Sequence, residues 1–377
     1  MNCSACRLLV LFGFLSLFPF SSPQEAGTMQ NAAAQPVVMA QPHNPEDMRA
    51  MAVAFLGSLD GVQLSKIQFE LSDMDARTRW SNLPSIFYER GGLRTGDMTV
   101  TQRHHLHALM RASTSSQGYL KIAGVMWLDD VLSEAASERG ASGRMAELIE
   151  SWTTENYWVS IFGNPETDEQ WGWLFTGHHL AASFTVVGDD VAFTPLFLGA
   201  EPYTVETGPY AGWRILSHER ERGYKLVQTL TNEQRALAVL GEAVPNDIFE
   251  GPGQRNRLES IEGIQASALS ETQQILLWEL IEEYVRNADH HAANTQLAKI
   301  RSDGLEALRF AWIGPTERLE SRYYYRVHGP SLLIEYVRER GVGGDKSGSN
   351  HIHTIVRDPS NDYGEDWLGA HYEEHHR

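Results

Sequence analysis

Cysteine is almost absent from this 377-residue sequence: there are two, Cys3 and Cys6, and both precede an apolar run at the N-terminus. The rest of the chain therefore has neither a disulfide nor a thiolate metal site, and any metal must be held by His, Asp, Glu or backbone oxygen. Positive charge is also scarce. Against 49 Asp and Glu stand 31 Lys and Arg, a formal net charge of −18, which argues against sequence-independent binding to nucleic acid or anionic lipid, because both rely on Lys and Arg at phosphates. Long apolar runs are missing as well. The longest, Leu8–Phe20, has 13 residues, short of the roughly 20 that span a bilayer. The Gly-x-Ser-x-Gly elbow of serine hydrolases, the Gly-x-Gly-x-x-Gly dinucleotide loop and the Walker phosphate loop are all absent, and so is His-Glu-x-x-His. No internal repeat and no long linker is legible.

What is present begins with an expected export signal over residues 1–27. Arg7 supplies a positive charge, the apolar run follows, and Ser21-Ser-Pro23 forms a small-residue cleavage zone. Residues 28–46, rich in Ala, Gln, Pro and Asn, read as a flexible leader. Residues 47–377 are expected to form one large domain, with the Gly- and Pro-containing stretch 242–270 as a surface loop or insertion. Apolar residues recurring at three and four predict helices over about 45–60, 99–116, 118–136, 213–229, 231–241, 271–287 and 291–301. Aromatic and β-branched runs at 158–162, 171–175, 180–187 and 191–194, and again at 310–313, 323–328, 332–337 and 351–356, predict strands. The expected fold is α+β. Its helices pack on a mixed, mainly antiparallel sheet built from two β regions, about 157–195 and 309–357.

Several ordered motifs carry a resemblance. Tyr157-Trp-Val-Ser-Ile-Phe-Gly-Asn-Pro165, Trp171-Gly-Trp-Leu-Phe-Thr-Gly-His-His-Leu180, Thr194-Pro-Leu-Phe-Leu-Gly-Ala200, Tyr324-Tyr-Arg-Val-His-Gly-Pro-Ser-Leu-Leu-Ile-Glu-Tyr336 and Asn350-His-Ile-His-Thr-Ile-Val-Arg-Asp-Pro359, followed by Asp362-Tyr-Gly364, together resemble the bacterial family called domain of unknown function 3500. The resemblance covers about residues 46–372. It implies that Gly177-His178-His179, His328, Glu335, His351 and His353 belong to the family pattern. It implies no activity.

The chemistry has to come from the residues. His351-Ile-His353 on a strand puts both imidazoles on one face, since side chains alternate, at the separation of neighbouring metal ligands. If the strands carrying His328, Glu335 and the His pair lie side by side, all four can share that face. A carboxylate at Glu335, after three apolar residues, is costly unless it meets a metal or a cation such as Arg326 or Arg357. Arg357 also suits an anionic substrate group. Of the adjacent pair, His179 shares parity with Ser183 and Thr185, which favours it over His178 as a ligand, leaving His178 an orienting role. The expected metal ligands are thus His351, His353, His328, His179 and His178, with Glu335, Arg326 and Arg357 as catalytic candidates. His104, His105 and His107 read as a helix surface, His290 and His291 as a helix start, His371 as an accessory, and His375 and His376 as a solvated tail. The large aromatics read as sheet core rather than as a sugar platform.

Imidazoles with a carboxylate fit zinc, copper or iron. The leading expectation is an exported, periplasmic or extracellular, metal-dependent hydrolase that activates water for a small-molecule substrate. The alternatives are a copper or iron oxidoreductase on the same ligands and a non-catalytic periplasmic protein that binds a small ligand. No nucleic-acid partner and no stable membrane insertion are expected.

Overall fold

The computed structural model describes residues 45–137, 140, 142–339 and 350–375. The expected export signal, nearly all of the leader, the stretch 340–349 and the side chains of residues 371–377 lie outside that description. The first half comprises α1 Pro45–Gly57, α2 Gly61–Ile67, β1 Gln68–Phe69, α3 Met74–Arg77, β2 Leu93–Arg94, α4 Val100–Ser113, α5 Ser116–Ser137 and α6 Arg144–Ser151. It ends with β3 Tyr157–Phe162, β4 Gln170–Gly177, β5 Leu180–Val187, β6 Asp190–Ala192 and β7 Leu196–Ala200. The second half comprises α7 Ser217–Thr229, α8 Asn232–Ala238, β8 Val239–Gly241, β9 Ile264–Gln265, α9 Glu271–Val285 and α10 His290–Asp303. Then come β10 Arg309–Ile313, β11 Tyr324–Gly329, β12 Leu332–Arg338, β13 Ile352–Arg357 and α11 Glu365–His375.

All 13 described strands join one open, mixed sheet, and its order reveals a duplication. The path runs β1-β3-β4-β5-β7-β13-β12-β11-β10-β8, with β2 on β3 and β9 on β10. The second five strands repeat the first five in reverse. β1 pairs parallel with β3 as β8 does with β10, and β2 pairs antiparallel with β3 as β9 does with β10. The two halves meet where β7 and β13 pair antiparallel.

Local chemistry repeats too. Asp60 and Gln63 form a capping box at α2, and so do Thr231 and Gln234 at α8; Thr99 and Gln102 cap α4 as Ser270 and Gln273 cap α9. Each box satisfies orphan N–H groups at a helix start, worth about 1 kcal/mol per cap. The paired glutamines also bond to each other, Gln63 to Gln102 and Gln234 to Gln273. Gln102 and Gln273 then donate to the matching carbonyls of Ser58 and Thr229. A duplication unreadable as sequence identity is thus preserved as hydrogen-bond geometry.

The central strands are buried along their whole length, because both faces are covered. On one face α-helices bring Leu226, Leu277, Ile281 and Leu297 against Tyr325, Val327, Ile334 and Tyr336. Tyr325 and Tyr336 stack at 4.9 Å and Trp312 and Tyr323 at 4.3 Å, contacts worth about 0.5–1.5 kcal/mol each beyond their area. These aromatics are core. The opposite face is covered by loops: Trp80 and Ile248 pack on Ala181, Phe197, Tyr324, Val337 and Ile355. The expected α+β architecture is observed. β7 lies beyond the first β region expected, and it is the strand that joins the halves. α2 and α6 are additional helices, and 242–270 is the second half's counterpart of 70–92.

Candidate metal centre

The junction of β7 and β13 assembles three imidazoles. Antiparallel register sets His353 opposite Gly199, and the Gly199 N–H donates to the carbonyl of His179 at 2.8 Å. A Cβ at Gly199 would sit 2.9 Å from His353 Cδ2 and 3.0 Å from His179 Cβ and Cδ2, so the absence of a side chain lets the rings approach. His179 has φ +59°, a left-handed conformation that costs an L-residue about 1–2 kcal/mol. This turn aims it into the junction, while the preceding His178 is held elsewhere. His178 Nδ1 lies 2.6 Å from Asp129 Oδ1, and the Tyr157 hydroxyl donates to Asp129 Oδ2 at 2.8 Å and to the His178 carbonyl at 3.0 Å. The His178 and His179 rings stack at 3.7 Å.

His351 Nε2 lies 3.0 Å from His179 Nε2 and 2.9 Å from His353 Nε2. Carboxylates hold the far side of two rings. His353 Nδ1 is 2.6 Å from Glu339 Oε1 and 2.9 Å from Asp247 Oδ1; His351 Nδ1 is 3.6 Å from Glu339 and 3.7 Å from Glu201. Asn82 Nδ2 donates to Asp247 Oδ2 at 3.0 Å. At His353 the two carboxylates hold a proton on Nδ1, so an ion that displaced the Nε2 proton would meet an inward-facing lone pair. Burial drives His179 and His351 well below the usual imidazole range, reinforced by the neighbouring rings. At His353 burial opposes the charge, but Glu339 and Asp247 outweigh it and push the group up to about 10. Asp247 is correspondingly lowered to about 2, its own burial outweighed by His353.

His351 Nε2, within hydrogen-bond distance of the Nε2 atoms of both His179 and His353, needs protons or a cation between the rings. These buried histidines can hold a metal ion, and so can two adjoining groups, Asp129 with His178 and His179, and Asp247 with Glu339 and His353. A zinc ion about 2.0–2.1 Å from each nitrogen separates tetrahedral ligands by about 3.3 Å, a few tenths of an ångström more than the two separations from His351 Nε2.

Residues 41–365, which include every side chain of this centre, match the family described as protein of unknown function (DUF3500). The chain belongs to the DUF3500 family. No curated protein and no solved structure matches it. The functional reading of this DUF3500 protein therefore rests on its own geometry.

The structure brings together His179, His351 and His353 and sets His178 directly behind them. It does not bring in His328, Glu335, Arg326 or Arg357. Register puts them on the same sheet face as His353, since His328, Arg326 and Tyr324 oppose Leu333, Glu335 and Val337, which oppose Arg357, Ile355 and His353. Sharing a face is not sharing a place. His328 is four residues along the strand from the level of His353, about 13 Å. Glu335 is fully buried and accepts the N–H groups of Phe249 and Glu250 and the Tyr324 hydroxyl at 2.7, 2.8 and 2.7 Å. Arg326 pairs with Glu262 at 2.7 Å, and Arg357 with Asp362. His107 bonds Tyr119 at 3.1 Å, and Asp289 caps α10 through the N–H groups of His291 and Ala292.

Sequence reasoning missed Asp247, Glu339, Glu201, Asp129 and Asn82. None has a spacing that signals a site. Asp247 falls in a loop, Glu339 follows a strand, and Asp129 lies in the apolar stretch Val125–Leu132 of a long helix beside a second aspartate, Asp130. Only the fold brings them to the histidines.

Proposed function

We propose that this DUF3500 protein is an exported metal-dependent hydrolase whose ion is held by His179, His351 and His353. One observation supports it above all: His351 Nε2 lies 2.9–3.0 Å from the Nε2 atoms of both His353 and His179, with carboxylates on the outer nitrogen of His353. A transition-metal ion held by three imidazoles, with a position left open, acidifies water and polarises a carbonyl or phosphoryl group. Zinc is the preferred ion, because a set of imidazoles without thiolate suits it. Glu339 and Asp247 orient His353 and raise its basicity, Glu339 and Glu201 face His351 Nδ1 at 3.6 and 3.7 Å, and Asn82 holds Asp247 in place. His178, fixed by Asp129, stacks on His179 and excludes water from that side.

The experiment is elemental analysis of protein purified without an affinity tag, beside the double variant His351→Ala/His353→Ala. Stoichiometric zinc that disappears in the double variant supports the proposal. Wild-type protein that stays metal-free after dialysis against zinc, and whose thermal midpoint zinc does not move, refutes it. Copper or iron at stoichiometry would replace hydrolysis by redox chemistry on the same ligands. Export is checked by N-terminal sequencing of protein recovered outside the cytoplasm, with a new terminus expected near residue 27.

A further inference from the structure

A cleft of about 550 Å³ opens over Asp247 and Asn82, which lie 2.9 and 3.5 Å from His353 Nδ1. That volume suits a small organic molecule. Its walls are corresponding loops of the two halves, residues 78–88 and 247–257. Ligand sites favour such junctions, where two units present separate surfaces to one space.

The walls are held unusually firmly for loops. Arg90 is buried and donates to the carbonyls of Ser81 and Leu83 on one side. On the other, Glu335 accepts the N–H groups of Phe249 and Glu250, and Arg357 donates to the Glu250 carbonyl at 3.1 Å. Burying three charged groups is costly, and here each binds loop backbone. Such support is what a preorganised binding site requires.

The lining chemistry is selective. Trp80, Leu83, Tyr88, Ile248 and Pro252 give apolar and aromatic surface. Leu83 is 47% exposed although it is large and apolar. Of the two charged lining residues, Asp247 is already engaged by His353 at 2.9 Å. The other is Arg257. Among the described residues its guanidinium meets no carboxylate; it donates to Gln254 at 3.3 Å and lies over the Phe249 ring. The cleft therefore combines apolar walls with one uncommitted cation.

We propose that this cleft binds an organic anion with an apolar or aromatic body, Arg257 holding the anionic group while the other end of the molecule reaches Asp247, the carboxylate that contacts His353. As a substrate assignment this rests on the metal-dependent reading; as a binding site it does not. N-acetyl-phenylalanine and its neutral amide are suitable probes, titrated by calorimetry into full-length mature protein. The acid is expected to bind about tenfold more tightly than the amide, the scale of one charge-assisted hydrogen bond. Arg257→Gln should remove that preference, leave amide binding unchanged and leave the fold intact, since Arg257 is exposed. Tyr88→Ala should weaken both probes. The double variant His351→Ala/His353→Ala should still prefer the acid. Absence of binding by either probe, or an undiminished acid preference in Arg257→Gln, overturns the proposal. Acid binding that disappears in the histidine double variant but survives in Arg257→Gln assigns the anion to the metal centre, so the cleft proposal fails while the metal reading stands. Arg257-dependent binding by a protein that takes no metal leaves the cleft and removes the hydrolase.

Discussion

Replacing Glu335 by Ala separates two roles that a buried carboxylate near a histidine cluster can play. In the structure Glu335 touches no imidazole. It accepts from Phe249 N, Glu250 N and Tyr324 Oη at 2.7–2.8 Å, and so fixes the loop that carries Asp247. Each donor left without a partner costs about 1–3 kcal/mol, which for three gives about 3–9 kcal/mol as an upper range. Two effects reduce it. The loop can turn one N–H toward water, and the variant also removes a desolvated carboxylate, whose pKa burial has raised and whose burial was itself unfavourable. The net expectation is a loss of about 2–4 kcal/mol. Urea unfolding of metal-loaded and chelator-treated protein measures it, with metal content read by elemental analysis. The expected outcome is similar destabilisation of both forms with metal stoichiometry preserved. If Glu335→Ala instead loses the metal while chelator-treated protein keeps wild-type stability, Glu335 acts at the ion and the loop-pinning assignment is wrong.

Gly199→Ala should place a methyl group 2.9–3.0 Å from His353 and His179, lowering stability by about 1–3 kcal/mol through overpacking and metal affinity by about 10–100-fold; unchanged affinity in competition with a chromogenic chelator would count against the ring packing described. Asp129→Ala leaves the Tyr157 hydroxyl and His178 Nδ1 without their shared partner and should cost about 2–4 kcal/mol, measured by thermal unfolding. His328 should give an acid limb. Burial, with Arg326 beside it, lowers this imidazole to about 4, whereas in the unfolded chain it titrates near 6.5. Between those values the unfolded state binds the extra proton, so stability is full above about 6.5 and falls as pH drops toward 4, by at most about 3 kcal/mol. His328→Thr should make that limb shallower in denaturant titrations, His179 and His351, lowered further, supplying the rest of it; an unaltered slope would contradict it.

The legible part of the fold is the part that periodicity controls. Long helices such as α5 and α9 and the aromatic strands announce themselves, because their apolar spacing follows 3.6 or the strands' β-branched content. The short strands β1, β2, β8 and β9 do not, since two or three residues have no period. At the site, alternation puts His351 and His353 on one face, as observed; it favours His179 over His178 by parity, whereas in the structure both lie in a turn and the left-handed backbone of His179 directs its ring. It then overreached, because parity fixes a face and says nothing of position along a strand. His328, Arg326 and Glu335 share the face of His353 at other heights, and each has a local partner or burial that accounts for it. Carboxylates were the largest omission. Asp247, Glu339 and Glu201 come from three separate loops and strand ends, and only the junction of β7 with β13 gives them a common target.

That junction also explains why one centre exists rather than two. The β4–β5 hairpin turns at Gly177-His-His-Leu180, and the corresponding β11–β12 hairpin turns at Gly329-Pro-Ser-Leu332. Both turns are anchored by the aspartate at the fourteenth position of a matching helix, Asp129 of α5 to His178 and Asp303 of α10 to Ser331. The anchor does not depend on a histidine: in the second half it secures a turn that has none. In the first half, His178 takes the anchor and frees His179 to enter the junction with its positive φ. In the second half, proline and serine occupy the turn, so no imidazole is presented. The histidines from the second half arrive instead on β13, the strand that borders the first half. A ligand set drawn from both halves forms only when they are docked, so metal binding should stabilise their junction. Zinc-dependent slowing of amide exchange is accordingly expected at Gly199 and along β13, more than at the outer strands β1 and β8. Uniform slowing across the sheet would instead mean that the ion stabilises the domain as one unit and that the junction is not its particular target.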